Sequence, residues 1–277
     1  MHLPSGGALH VDGPAGAVPV LFLHGAGGGA WSWRPQRAAF ASSWRLFFWE
    51  ARGHGAAAKV ADAGVADYYL DAKEALAEVV EQTRRPAFVV AHSLGGFFAL
   101  ALAANVAGGI AGLFLIEPAY STGREPLVRI WRAIAPLARV AYEPLMLSVA
   151  RDGSLGRAVV RRRFAGLFED RAKMEAAWQD QQTQRPFEYP RVMREAFSGP
   201  QDFKMRDFAK DVADPTFLLE RDAGGRRSRY GRLTRTLAER LGDQFTHEAI
   251  RGGHYLQLDS PERVNERIRR FVEGSGR

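Results

Sequence analysis

The stretch AHSLGG at residues 91–96 is the feature that most constrains how this chain can fold. An apolar run at residues 87–91 (AFVVA) has the length of a buried strand, and an apolar helical pattern follows the serine at once. Ala91 and Gly95 flank Ser93 two positions away on either side, where larger side chains would collide in a tight turn. The pattern predicts a sharp strand-to-helix turn that presents the Ser93 hydroxyl above a sheet edge. The alternative is a serine that only caps a helix.

Short apolar runs alternate with helical patterns on both sides of this turn. The runs lie at residues 18–23, 46–50, 87–91, 112–116, 216–220 and 244–250. Helical spacing of apolar residues is found between them, for example at residues 67–84 and 227–241. Alternation of this kind predicts an α/β fold in which a mostly parallel, doubly wound sheet has helices on both faces.

The alternation stops between residues 120 and 200, where the pattern is helical and rich in arginine. We predict an α/β core formed by residues 1–119 and 201–277, with residues 120–200 inserted as a helical lid. The lid region has 13 arginines and one lysine against nine acidic residues. Several of its large side chains could line an apolar pocket, although packing of the lid on the core is their more common role. These candidates are Trp131, Tyr142, Met146, Phe164, Phe168 and Trp178.

Composition excludes several classes of protein. The chain has no cysteine, so disulfide frameworks, thiolate nucleophiles and cysteine-bound metal sites are ruled out. No apolar stretch approaches the roughly 18 residues that a membrane span needs, and we read no signal peptide, so we expect a cytoplasmic protein. The longest basic run, residues 161–163, lacks interleaved aromatic residues, which argues against a nucleic-acid partner. The net charge of +7 leaves an anionic small-molecule substrate as an option.

A reactive serine needs a base, and His254 is the best candidate among the histidines. It lies in a Gly-Gly-His turn after the last predicted strand, where a loop at the same sheet edge would bring it over Ser93. The alternative is an ordinary histidine of a surface loop. We assign structural roles to His24, in a glycine-rich loop, to His54, in a turn, and to His92, whose side chain should point away from that of Ser93.

Two backbone amides are candidates for an oxyanion hole. The amide of Leu94 follows the serine directly and lies at a helix N-terminus, where backbone N–H groups are free. The amide of Ala26 lies in the glycine-rich loop at residues 24–29, after the first predicted strand. This loop lacks the Gly-Lys-Ser/Thr sequence of a phosphate loop, and the alternative is a flexible linker.

Taken together, four motifs resemble the α/β-hydrolase superfamily over nearly the whole chain. They are Leu23-His24-Gly25, Arg52-Gly53-His54-Gly55, His92-Ser93-Leu94-Gly95-Gly96 and Gly253-His254. The resemblance implies a Ser–His–acid triad that needs neither a metal nor an organic cofactor. It says little about the substrate.

Two carboxylates compete for the third position of such a triad. The superfamily usually places the acid a few residues after the strand that follows the lid, where Asp222 is close but about two residues early. A second placement is directly after the strand that precedes the lid, where Glu117 lies. Residues 253–261 (GHYLQLDSP) are similar to a motif of haloalkane dehalogenases. One group of those enzymes, like some lactonases, carries its acid as a glutamate after the strand that precedes the lid. We favour Glu117 and keep Asp222 as the alternative.

Dehalogenation itself does not carry over from this resemblance. Those enzymes attack with an aspartate where this chain has Ser93, and they place a halide-binding side chain where it has Ala26. We therefore expect a hydrolase of esters, thioesters or lactones. The alternatives are a cofactor-free oxygenase, a perhydrolase or a C–C bond hydrolase on the same scaffold, and a non-catalytic small-molecule binding protein.

Overall fold

The computed structural model describes residues 1–57, 63–119, 158, 161–162, 164–183, 208–222, 224 and 228–274. These residues form one sheet of seven strands in the order β1-β3-β2-β4-β5-β6-β7. The strands are β1 (Ala8–Asp12), β2 (Pro19–Leu23), β3 (Arg45–Glu50), β4 (Ala87–His92), β5 (Ile110–Ile116), β6 (Thr216–Arg221) and β7 (Phe245–Ile250). Strand β1 pairs antiparallel with β3, and every other pairing is parallel. The predicted mostly parallel sheet is confirmed.

Strand β1 is the element that the sequence analysis missed. It forms an edge with β3 as its one neighbour in the sheet, and its last three residues are only partly buried. A strand with one partner needs no continuous apolar run, so the segment ALHVD carries a weak signal.

The helices cover both faces of the sheet, as a doubly wound fold requires. They are α1 (Arg34–Phe40), α2 (Val65–Thr83), α3 (Leu94–Asn105), α4 (Arg171–Thr183), α5 (Gly231–Leu241), α6 (Leu256–Asp259) and α7 (Pro261–Gly274). Alternate strand residues point to opposite faces: Leu21 packs in the cluster formed with α2, α3 and α5, and Phe22 packs in the cluster formed with α1 and α7. Because both faces are covered, the central strands β2, β4 and β5 are apolar almost throughout.

Three parallel strands end at the same edge of the sheet and place the candidate residues there. Strand β4 ends next to Ser93, β5 ends next to Glu117, and β7 is followed by the loop that carries His254. The glycine-rich loop follows β2 at the same edge. Ligand sites in open α/β sheets lie at this edge, so the topology brings the candidates together before any side-chain contact is considered.

The predicted lid falls largely outside the described residues, including Trp131, Tyr142 and Met146. The division into core and lid therefore stays a prediction. Within the described part, α4 is helical, and Phe164 and Trp178 are buried in an apolar cluster with Trp31 and Tyr255 of the core. These contacts are packing of residues 164–183 against Trp31 and Tyr255. Phe168 lies at the border of the same cluster, with its ring stacked on Tyr255 at 5.2 Å between centroids.

Over the residues that the structure describes, no helix combines the length and the apolar character needed to cross a membrane.

Candidate active site

Ser93 lies in the turn between β4 and α3 in a strained backbone conformation. Its φ is 51° and its ψ is −117°, a region that residues other than glycine rarely adopt. The N–H of Ser93 donates to the carbonyl of Ile116 (3.0 Å), and its own carbonyl accepts from Gly96 (3.0 Å) and Ala119 (2.7 Å). The side chain makes no capping hydrogen bond to α3. The predicted sharp turn is present, and the hydroxyl of Ser93 is left available for another partner.

Close packing around this turn requires glycine at two positions. A Cβ atom at Gly95 would lie 2.3 Å from the carbonyl oxygen of Leu23, at the end of β2. A Cβ atom at Gly25 would lie 2.8 Å from the Cβ atom of Ser93. Both distances are far below van der Waals contact. The glycine-rich loop therefore lies directly against the serine, where a second oxyanion donor was predicted.

His254 joins Ser93 to a carboxylate. Its Nε2 atom lies 3.0 Å from the Oγ atom of Ser93, and its Nδ1 atom lies 3.2 Å from Oε2 of Glu117. Because a carboxylate only accepts, Nδ1 carries the proton, and Nε2 of the neutral ring is free to accept the proton of the serine. The three residues come from the ends of different strands, 161 and 137 residues apart for the two contacts.

Both the backbone and the side chain of Glu117 are held by polar contacts. Its side chain is fully buried, its φ is 44°, and its N–H donates to the carbonyl of Leu219 (2.9 Å). Its Oε1 accepts from the N–H of Arg221 (2.9 Å), and the Arg221 and Arg229 guanidinium groups lie 3.6 and 3.9 Å from Oε2. Burial raises the pKa of Glu117, but the hydrogen bonds from His254 and Arg221 outweigh it, so the pKa is lowered. The group is an anion at neutral pH.

Asp222, the alternative acid, lies elsewhere in the same edge region. It follows β6, it is exposed, and its Oδ1 atom accepts from the N–H of Gly224 (2.9 Å) in a local turn. Its backbone N–H is paired with the carbonyl of Ile250. Within the described part of the chain, the structure brings Glu117 and not Asp222 to the ring of His254.

The two predicted oxyanion donors flank Ser93. Leu94 is the first residue of α3, and Ala26 lies in the loop that touches the serine through Gly25. Among the described residues, neither amide donates a hydrogen bond to a protein acceptor. Both are therefore available to a bound oxygen, and the N-terminus of α3 adds a favourable dipole.

Two buried, neutral histidines at this loop accept hydrogen bonds from backbone N–H groups. The N–H of Gly27 donates to Nε2 of His54 (3.3 Å), and the N–H of Ala51 donates to Nε2 of His24 (3.1 Å). Burial lowers the pKa of both rings, that of His54 to about 3 with a further contribution from nearby His24. Neutral rings can accept these amide protons at any physiological pH, which agrees with the structural roles predicted for both residues.

Glu50 is a structural anchor that the sequence analysis missed. It is buried at the end of β3, where Oε1 accepts from the N–H of Ala30 (3.0 Å) and Oε2 accepts from Ala56 (2.7 Å) and from the ring of His10 (2.9 Å). Burial opposes ionisation, but these hydrogen bonds lower the pKa to about 2. A lone carboxylate at a strand end has no sequence signal that separates this role from a catalytic one.

Acid is expected to lower the stability of the folded protein by protonating Glu50. Since the pKa of about 2 in the folded protein lies below the ordinary glutamate pKa of 4.5, the stabilisation is complete above pH 4.5 and is lost as the pH falls towards 2. We expect Glu50→Gln to lower the free energy of unfolding by up to about 3 kcal/mol at pH 7 and much less near pH 2. Urea unfolding at several pH values measures this. The exposed Glu81→Gln is the control, and a deficit for Glu50→Gln that does not shrink in acid would contradict the assignment.

His92 contacts the loop at residues 251–255, which carries His254 and which we call the histidine loop. This contact was not predicted from the sequence. His92 was assigned to packing, and it is indeed buried, but its Nε2 donates to the backbone carbonyl of His254 (2.9 Å). Burial lowers its pKa well below the usual range, with the nearby His254 ring as a second cause. The neighbour of the candidate nucleophile thus fixes the backbone of the candidate base.

No group of three or more metal-ligating side chains with suitable spacing occurs among the described residues. The contacts described at the sheet edge are those of a serine, a histidine and a carboxylate, with backbone amides beside them.

This fold, with its serine turn and histidine loop at one sheet edge, is that of the α/β-hydrolases. A family model described as the alpha/beta hydrolase family matches residues 20–267. The chain belongs to the alpha/beta hydrolase family, which confirms the resemblance and the fold predicted from its motifs. Its classification as an enzyme of hydrolase type is likewise confirmed by its relatives.

Individual relatives are similar at low identity. RutD of Variovorax paradoxus, a proposed carbamate hydrolase, is 30% identical over 145 residues, which are 50% of this chain and 54% of that protein. RutD of Azorhizobium caulinodans is 27% identical over 270 residues, covering 95% of this chain and 94% of the relative. The solved structure of a thermophilic esterase from Thermogutta terrifontis, with malate bound, superposes with a TM-score of 0.74 at 19% identity, covering 97% and 93% of the two chains. The first of these alignments spans about half of each protein.

Proposed function

We propose that this chain is a serine hydrolase that cleaves an ester, a thioester or a lactone, with Ser93 as nucleophile, His254 as general base and Glu117 as the acid. One observation carries the proposal: the ring of His254 lies within hydrogen-bond distance of both the Ser93 hydroxyl and the Glu117 carboxylate. This is the arrangement in which a histidine can take the proton of a serine while a carboxylate holds its tautomer.

Acylation follows from this geometry. The Oγ atom of Ser93 attacks the substrate carbonyl carbon, and its proton moves to Nε2 of His254. The charge that develops on the carbonyl oxygen is stabilised by the amides of Leu94 and Ala26. The bond to the leaving oxygen or sulfur then breaks, and Nε2 returns its proton to the leaving group. A lactone keeps that group on the same molecule and opens its ring.

Deacylation repeats the sequence with water as nucleophile. Water attacks the acyl–Ser93 ester, gives a proton to His254, and the acid product leaves as Ser93 regains its proton. Throughout, Glu117 stays ionised, because its lowered pKa keeps it an anion that balances the imidazolium of His254. The mechanism uses no metal and no organic cofactor.

The substrate class is best found by direct assay. The relatives named as an esterase and as proposed carbamate hydrolases suggest that carbamates belong beside esters, thioesters and lactones in the screen. We expect hydrolysis of at least one class, with labelling of the protein by a fluorophosphonate at Ser93. Oxygen consumption without hydrolysis would instead support a cofactor-free oxygenase, and the absence of both turnover and labelling would support a binding protein.

An anionic substrate is the finer part of the proposal. The chain has a net charge of +7, and the guanidinium groups of Arg221 and Arg229, each 45% exposed, lie close to Glu117 beside the candidate site. Such a surface would attract a negatively charged substrate during diffusion, and salt would screen this attraction.

Salt should therefore affect charged and neutral substrates differently. We expect kcat/KM for an anionic ester to fall by roughly tenfold between low salt and 0.5 M salt, while a neutral ester of the same acyl group changes little. Initial rates for the two esters at matched ionic strength give the comparison. An equal response would mean that the arginines act only as a solvated surface.

A further inference from the structure

Residues 164–183, which we call the crossing segment, lie against both loops of the candidate active site. The first part of the segment contacts the histidine loop at residues 251–255, and α4 contacts the glycine-rich loop at residues 24–29. The mechanism proposed above uses neither set of contacts. They nevertheless determine where the base and one oxyanion donor lie.

Asp259 joins the crossing segment to the histidine loop. Its carboxylate is buried, and Oδ2 accepts from the N–H groups of Gly253 (2.6 Å) and Glu169 (2.7 Å). Its Oδ1 accepts from the N–H of Asp170 (3.2 Å). One anion thus binds three backbone donors from two segments that are distant in sequence, and charge makes each of these hydrogen bonds stronger than a neutral one.

The backbone around His254 is consequently fixed at three successive groups. The N–H of Gly253 is bound by Asp259, the carbonyl of His254 accepts from His92 (2.9 Å), and the N–H of Tyr255 donates to the carbonyl of Leu167 (3.3 Å). Contact is so close that a Cβ atom at Gly253 would lie 2.2 Å from the carbonyl oxygen of Leu167. Any shift of the crossing segment must therefore move the loop that carries His254.

Gln181 makes the corresponding contact on the other side. Its Nε2 donates to the carbonyl of Gly27 (3.2 Å), while the N–H of Gly27 donates to His54 from the opposite side. The residue that follows Ala26 is thus held through both of its backbone groups. Since Gln181 comes from α4 and His54 from the core, the position of the Ala26 amide depends on how α4 is docked.

We propose that the crossing segment is a clamp that positions both catalytic loops, with Asp259 as the positioning residue for His254 and Gln181 as the positioning residue for the Ala26 amide. The inference rests on the proposed function of Ser93 and His254. Neither positioning residue touches the reacting atoms. Their effect is to keep the base and the oxyanion donor in the geometry that the transition state needs, where a displacement of about 1 Å can cost two orders of magnitude in rate.

Asp259→Asn tests the contact with the histidine loop. The amide keeps the shape but loses the charge, and it turns an N–H group towards one of the backbone donors. We expect kcat to fall by about 10- to 100-fold with KM changed less than about threefold. Arg251→Gln is the matched control, because Arg251 pairs with Glu169 (3.1 Å) between the same two segments, at the exposed surface. It should leave kcat within about twofold of the wild type.

Gln181→Leu tests the contact with the glycine-rich loop. We expect about a tenfold loss of affinity for an alkylboronic acid, which forms a tetrahedral adduct on Ser93 and places an oxygen where the oxyanion would lie. The KM of an ester substrate should change little. Arg34→Gln is the control, because it removes a solvent-exposed ion pair with Asp180 (2.5 Å), which contributes little to the docking of α4, and it leaves the hydrogen bond from Gln181 to Gly27 in place. Its affinity for the boronic acid should stay within about twofold of the wild type.

A readout that does not require turnover separates this inference from the proposed function. In ring-labelled histidine NMR spectra, the Nδ1–H signal of His254, bonded to Glu117, should broaden or shift in Asp259→Asn and persist in Arg251→Gln. Unchanged spectra and kinetics in both positioning variants, or equal losses in the controls, would overturn the clamp. If the wild type itself takes no fluorophosphonate label, the proposed function fails, and the NMR comparison still decides whether Asp259 positions His254.

Discussion

Replacing Ser93 by alanine is expected to lower kcat at least about 10⁴-fold while the protein stays folded. The Oγ atom of Ser93 forms the covalent bond to the substrate, so its loss removes the acyl-enzyme route and leaves only binding and the oxyanion donors. Activity on the best ester or lactone, together with labelling by a fluorophosphonate, measures the effect. The thermal midpoint should change by no more than a few degrees, because alanine differs from serine only by the loss of the hydroxyl group and must adopt the same strained backbone.

Ser43→Ala is the matched control for this prediction. Ser43 is exposed in the turn before β3, at the opposite end of the strands from Ser93. The control should retain full activity and lose no label. Retention of more than about a tenth of the wild-type rate by a clean Ser93→Ala preparation would contradict a serine mechanism, and the oxygenase and binding alternatives would then gain weight.

The sequence was sufficient for the fold because the strong signals are local. Central strands such as β2 and β4 are buried on both faces, so they appear as uninterrupted apolar runs. The turn at Ser93 also has a local signal, the small residues Ala91 and Gly95 two positions away on either side, although the carbonyl that a side chain at Gly95 would meet belongs to the neighbouring strand β2. The edge strand β1 lacked both kinds of signal and was missed.

The supporting residues of the site were not predictable in the same way. Glu50, His92 and Asp259 act on backbone groups of distant segments, for example Asp259 on residue 169, which lies 90 residues earlier in the chain. Nothing near a buried carboxylate in the sequence reveals which amides it will meet. The one sequence signal for Asp259 is its place in the motif GHYLQLD, and that motif does not reveal which amides the carboxylate binds.

The acid could be narrowed to two carboxylates but not chosen by spacing alone. Asp222 follows its strand more closely than the usual acid position does, since β6 extends to Arg221, directly before it. Its N–H is then paired with Ile250, and its carboxylate is bound locally by Gly224. Glu117 is instead turned inward by a backbone with φ of 44°. That conformation is not visible in the residues Ile-Glu-Pro.

Glu117→Gln is expected to cut kcat by about 10²- to 10⁴-fold, with a much smaller change in KM. The amide cannot stabilise the imidazolium that forms when His254 takes the proton of Ser93. If its NH₂ group faces Nδ1, the ring must accept there and carry its proton on Nε2, which is the wrong tautomer for a base. The Oε1 contact with the N–H of Arg221 can persist in the variant, so the fold should survive. Steady-state kinetics and thermal unfolding provide the two measurements.

Two carboxylate variants make this last prediction specific. Asp222→Asn should lower kcat less than about threefold, because its side chain binds Gly224 in an exposed turn. Glu220→Gln removes a different buried carboxylate, which lies in β6 and binds His247 (3.0 Å) and Ser228 (2.9 Å). This variant should lower the free energy of unfolding by about 1–3 kcal/mol without a comparable loss of kcat. The reverse ranking of Glu117 and Asp222 would assign the acid to Asp222. Mild effects of both would mean that Ser93 and His254 work without an acid.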